Sequence, residues 1–85
     1  MGKLPTTTAH LKINRKSFSD KCLEGEVFAG DFVWEFSWCF QKGVLNLEPS
    51  LGRALIHDAL LRFLIKADYN LEAGSDYIFT VRAKF

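Results

Sequence analysis

Five aromatic residues occupy alternate positions over residues 32–40, and this alternation limits the possible folds more than any other feature of the sequence. They are Phe32, Trp34, Phe36, Trp38 and Phe40. A period of two places all five on one face of a β-strand, and no helix has that period. The segment therefore predicts a strand whose aromatic face lies in the core.

Four further segments alternate in the same way. They are residues 7–14, 22–29, 44–48 and 76–85. Short turns at Gly30-Asp31 and Lys42-Gly43 predict hairpins on either side of the aromatic strand. Apolar residues recur at helical spacing over residues 50–68, with Ser50 as the expected N-cap. The expected core stripe of this helix is Leu55, Ile56, Ala59, Leu60, Phe63 and Ala67.

These elements predict an α+β fold with the element order ββββαβ. Consecutive hairpins form an antiparallel meander, the last strand returns beside the first, and the helix packs across the aromatic face. The predicted strand order is 5-1-2-3-4. A chain of 85 residues, 48% of them hydrophobic, supports one core. We therefore expect a single domain over residues 1–85, with residues 1–6 as a frayed terminus.

The most polar row of the predicted sheet is a candidate site formed by His10, Glu26 and Glu35. The two-residue turn before the aromatic strand sets Glu26 opposite Glu35. Matching the faces of the first two strands favours His10 beside Glu26, and it also favours Lys12 beside Glu24. Two facing carboxylates and an imidazole suit acid–base chemistry or metal binding. A flat sheet face rarely forms a cleft, so a solvated structural row is the favoured interpretation.

Two other pairs follow from the same register. Gly25 faces Phe36, which leaves room for the phenyl ring. Cys22 faces Cys39, and in a reducing cytosol we expect two half-buried thiols there. A cross-strand disulfide or a redox switch is the alternative.

The outer side of the predicted helix carries more apolar residues than a solvated helix needs. At about 100° per residue, four positions fall opposite the core stripe. They are Ala54, Asp58, Leu61 and Ile65. These residues form a candidate interaction face for another protein or for a second copy of the chain. There are two alternatives: the loop containing Tyr69 and Leu71 covers these residues, or they are ordinary exposed apolar surface.

Charge and motif content narrow the function classes. Eleven Lys and Arg against ten Asp and Glu give a net charge of +1, which does not favour binding to nucleic acid. No apolar stretch is long enough for a bilayer, and no apolar leader opens the sequence, so we expect a cytoplasmic protein without membrane contact. No cofactor motif is present, and no nucleophile, base and orienting group share a recognisable spacing. A small non-enzymatic protein-interaction module is the favoured function. A small-ligand- or metal-binding domain on the polar sheet face is the alternative.

Three stretches carry a resemblance to a known family. They are GDFVWEFSW (30–38), EPSLGRALI (48–56) and DYIFTVRAKF (76–85). Together they resemble a family of small uncharacterised cyanobacterial proteins with a domain of unknown function. The resemblance implies a cytoplasmic protein of a photosynthetic bacterium, and it implies no activity, cofactor or functional residue.

Overall fold

A computed structural model describes residues 5–85, and every predicted element is present. The elements are β1 (Thr7–Ser17), β2 (Cys22–Ala29), β3 (Phe32–Cys39), β4 (Val44–Glu48), α1 (Arg53–Ala67) and β5 (Asp76–Val81). The frayed terminus predicted over residues 1–6 lies mostly outside the described residues.

The strands form one antiparallel five-stranded sheet in the order β4-β3-β2-β1-β5. This is the predicted order, and the α+β assignment is confirmed. Helix α1 crosses from β4 to β5 and packs on one face of the sheet. It has 15 residues, and no helix in the described residues is long and apolar enough to cross a membrane.

The aromatic face of β3 forms the centre of the core, as predicted. Trp34, Phe36 and Trp38 are almost completely buried beneath α1. The indole nitrogen of Trp34 donates a hydrogen bond to the carbonyl of Leu51 at 2.9 Å, which ties the strand to the turn before the helix. Phe40 is the exception, because β3 ends at Cys39 and the Phe40 ring lies in the following turn.

The helix begins later than predicted and presents a different stripe to the core. Its N-cap is Gly52 in the left-handed region at φ 75°, with no side-chain cap, so the expected capping by Ser50 is wrong. The fully buried helix residues are Ile56, Leu60 and Leu64, spaced four apart. This spacing turns Leu55 outward, and the prediction that Leu55 is a core residue is wrong.

A β-bulge in β1 changes the pairing of the first hairpin. Strand β1 continues to Ser17, beyond the predicted end at residue 14. Ile13 pairs with Gly25, but the next pair is Arg15 with Glu24, so Asn14 is an extra residue without a partner on β2. An extra residue of this kind bends and twists the strand.

The predicted neighbours of His10 and Lys12 are wrong by two residues, because β1 continues three residues beyond its predicted end and the bulge takes back one of them. His10 lies opposite Phe28, and Lys12 lies opposite Glu26. The prediction placed them beside Glu26 and Glu24. The prediction used alternation alone, and alternation identifies the face of a strand without identifying its register.

Candidate functional site

One face of the sheet has no element packed on it within the described residues, and we call it the uncovered face. Its side chains alternate with the buried ones along each strand. Antiparallel sheets often leave one face in water, so exposure alone indicates no function. The arrangement of the side chains on this face is more informative.

A row of charged side chains crosses all five strands, and we call it the charged row. In order from β5 to β4 it contains Asp76, Lys12, Glu26, Glu35 and Glu48. Neighbouring members lie on adjacent strands, about 4.8 Å apart in the direction across the sheet. Glu26, Glu35 and Glu48 are three consecutive like charges, and opposed like charges destabilise a sheet.

These three carboxylates have no cation close enough for an ion pair among residues 5–85. The ion pairs in that range join Arg15 to Glu24, Lys16 to Glu72 and His57 to Asp58. No ion pair within residues 5–85 therefore offsets the repulsion among the three carboxylates, and Lys12 lies opposite Glu26 only.

A second row lies two residues further along each strand, and we call it the apolar row. From β5 to β3 it contains Ile78, His10, Phe28 and Val33. Ile78 is 64% exposed and Val33 is 46% exposed, while Phe28 is half-buried. Two residues of strand correspond to about 6.8 Å, so the apolar row runs directly beside the charged row.

The uncovered face is concave around the carboxylates of β2, β3 and β4. The concavity encloses about 760 Å³ and extends from the bulge at Asn14 to Glu48. Arg15 and Glu24 approach to 3.9 Å at its β1 side. Asn46 and Ser37 add neutral hydrogen-bonding groups, so the concave region is polar and carries a negative charge.

The predicted site of His10, Glu26 and Glu35 is only partly assembled. Glu26 and Glu35 are directly opposite each other, as predicted. His10 is not in this row, because the register of β1 puts Lys12 beside Glu26. No group of three or more His, Cys, Asp or Glu side chains is placed to hold a metal ion anywhere in residues 5–85.

Three members of the charged row were not expected there from the sequence, and Lys12 is one of them, since it was predicted beside Glu24. Glu48 joins it through the pairing of β3 with β4, and Asp76 joins it through the pairing of β1 with β5. The expected turn at Lys42-Gly43 did not indicate Glu48. The turn spans residues 40–43 and sets Cys39 opposite Val44, whereas a two-residue turn at Lys42-Gly43 would have set Glu48 opposite Ser37. No local signal pointed to Asp76, which follows a loop.

Cys22 and Cys39 form a disulfide, so the preferred prediction of two free thiols is wrong and the alternative is correct. The two residues are a directly opposed cross-strand pair with Cα atoms 4.1 Å apart. The bond closes the end of the sheet that carries the β1–β2 and β3–β4 turns. The predicted register already contained this signal, and the assumed reducing environment argued against it.

The candidate interaction face on α1 is exposed at three of its four positions. Ala54, Asp58 and Ile65 face outward, whereas Leu61 is half-buried and packs against the core. Leu55 takes the place of Leu61, with Leu55 52% exposed and Ile65 59% exposed. The apolar character of the outer helix surface therefore remains, although one residue of the prediction does not belong to it.

The fold and the surface define a class of small α+β proteins in which one helix covers one face of an antiparallel sheet and leaves an amphipathic face open. This chain belongs to the family described as "Protein of unknown function (DUF3146)", whose model matches residues 5–84. No curated protein matches the chain, and no solved structure does.

Proposed function

We propose that this protein is a small non-enzymatic interaction module and that it binds another protein through its uncovered face. The observation that supports this proposal is the apolar row running beside three carboxylates that form no ion pair within residues 5–85. Placing the exposed side chains of Ile78 and Val33 in the same row does not make the protein more soluble.

The two rows have different roles in such a complex. Burying a side chain of the size of Ile78 or Val33 contributes about 1.5–3 kcal/mol. That contribution favours association with any apolar surface. The carboxylates add selectivity, because complementary charges speed association and like charges reject the wrong partner.

The outer surface of α1 is a second candidate for contact with another protein or with a second copy of the chain. Leu51, Leu55 and Ile65 are all more than half exposed there. Charged side chains such as Asp58 and Arg62 interrupt them. We rank this surface second because it lacks a charge pattern that would select a partner.

The test compares two double variants in the cells that naturally contain the protein. Val33→Thr with Ile78→Thr removes apolar surface from the apolar row and keeps β-branched side chains in the strands. Leu51→Gln with Ile65→Gln is the control on the helix side. Both variants should keep the wild-type free energy of unfolding to within about 0.5 kcal/mol, since the substituted side chains are exposed.

Cross-linking in those cells, followed by quantitative mass spectrometry, gives the binding result. We expect the Thr variant to lose the partner that the wild type and the Gln variant retain. Loss of the partner in the Gln variant alone would show that the partner binds the α1 side instead. Retention by both variants would refute the proposal.

The cyanobacterial origin and the cytoplasmic location implied by the resemblance belong to the same proposal. A reducing cytoplasm keeps most cysteines as thiols, so this location predicts that the Cys22–Cys39 disulfide of the structure is open in the cell. Alkylation of thiols in intact cells, followed by mass spectrometry, tests that prediction. If neither Cys22 nor Cys39 were alkylated, the result would argue for an oxidising compartment instead.

A further inference from the structure

We propose that the element bound by the uncovered face is a basic amphipathic α-helix of the partner, lying across the strands. Its Lys or Arg side chains would face Glu26, Glu35 and Glu48, and its apolar side chains would lie on the apolar row. This inference rests on the proposed function and adds the chemistry and shape of the partner.

The charge of the partner follows from the charged row. Three carboxylates stand on adjacent strands, and no cation of residues 5–85 is within ion-pair distance of them. Lys12 is the one cation of the charged row, and it lies between Glu26 and Asp76. A basic partner removes the repulsion among the three carboxylates, whereas an acidic partner or a nucleic acid increases it.

The helical shape follows from the spacing of the carboxylates. Adjacent strands are about 4.8 Å apart, and one helical turn rises about 5.4 Å. Basic residues on successive turns of a helix therefore meet successive carboxylates of the row. An extended strand presents same-face residues about 6.8 Å apart and does not match this repeat.

The apolar row fits the same helix. The apolar row runs parallel to the charged row at a distance of about 6.8 Å. This distance is less than the diameter of a helix with its side chains, which is about 10–12 Å. One helix therefore contacts both rows at once when its basic stripe and its apolar stripe are adjacent. Ile78, Phe28 and Val33 supply the apolar contact across β5, β2 and β3.

Three synthetic helical peptides test the proposal against the purified full-length protein. The first carries Lys on one stripe and Leu on the adjacent stripe. The second replaces each Lys by Glu, and the third has the composition of the first in a shuffled order that destroys the stripes. Isothermal titration calorimetry gives the affinities, and NMR shifts of labelled protein locate the binding site.

We expect the first peptide to bind, with the largest shifts at Val33, Glu35 and Glu48, and the other two peptides to bind at least tenfold more weakly. Glu26→Gln with Glu35→Gln should weaken the first peptide at least tenfold. Asp58→Asn with Asp68→Asn removes the same charge from the helix side, and it should leave the affinity unchanged.

Three results would overturn the inference. Equal binding of the shuffled peptide would refute the amphipathic arrangement of the bound helix. Equal weakening by the Asn variant would refute the specific role of the charged row. NMR shifts confined to α1 would refute binding at the uncovered face. If the Thr variant of Val33 and Ile78 loses the natural partner while no peptide binds, only this inference fails. If that variant keeps the partner, the proposed function fails whatever the peptides do.

Discussion

At the scale of single residues, Gly25 shows how closely the first hairpin packs against itself. It is buried in β2, where a glycine normally weakens a strand. A Cβ atom there would collide with the backbone carbonyl oxygen of Lys12 and lie 2.8 Å from Cε1 of Phe36. The space beside the Phe36 ring was expected from the sequence. The contact with the Lys12 carbonyl depends on the pairing of β1 with β2.

Gly25→Ala should lower the free energy of unfolding by about 1–3 kcal/mol, because added volume in a packed site forces the backbone to move. In an unrestrained strand the same substitution would stabilise by about 0.5–1 kcal/mol. Urea denaturation of the two proteins measures the difference. Adding Phe36→Leu should not restore stability, since the Lys12 carbonyl cannot move away as a side chain does. A neutral or stabilising Gly25→Ala would contradict the register of the first hairpin.

At the scale of elements, α1 shows that helical periodicity identifies a stripe only to within about one residue. The predicted stripe includes Leu55 and omits Leu64, although Leu64 lies four residues after Leu60. In the folded protein Leu64 is fully buried and Leu55 is 52% exposed. The difference arises because the helix starts at Arg53, after a left-handed Gly52 that packs against Trp34 and Phe32.

The same substitution at two leucines of α1 should therefore change the free energy of unfolding by very different amounts. Leu64→Ala should cost about 2–5 kcal/mol, because it leaves a cavity in the core. Leu55→Ala should change stability by no more than about 0.5 kcal/mol, since the side chain is largely in water. Thermal or urea denaturation distinguishes them directly. Equal losses would mean that Leu55 is covered.

At the scale of the whole molecule, the charged row joins all five strands in a single electrostatic feature. Glu35 lies at the centre of its acidic part, directly between Glu26 and Glu48. None of these carboxylates forms an ion pair within residues 5–85, and Lys12 stands opposite Glu26 alone. The repulsion should cost the isolated protein some stability, and the proposed basic partner would remove it.

Glu35→Gln should therefore stabilise the free protein by about 0.2–1 kcal/mol, since it removes repulsion from both neighbours. The gain should shrink near 1 M salt, where charges more than about 3 Å apart are screened. Glu24→Gln is the matched control, because Glu24 faces Arg15 at 3.9 Å and should show no gain. Urea denaturation at low and high salt measures both effects. A loss of stability in Glu35→Gln would show that this carboxylate has a favourable contact in the free protein.

The sequence by itself determined the elements, the strand order and the face of each strand that enters the core. It could do so because alternation and turn residues are local signals, and consecutive hairpins leave few topologies. The register of β2 with β3 was also predictable, since the two-residue turn at Gly30-Asp31 sets it directly.

Only the tertiary structure decided which side chains of the uncovered face lie together. Strand β1 continues to Ser17 and contains the bulge at Asn14, and together these features put Lys12 in the charged row and His10 in the apolar row. Asp76 joins the charged row only because β5 returns beside β1 after the helix. These positions depend on contacts between residues far apart in the chain, and a pattern within one segment contains no information about them.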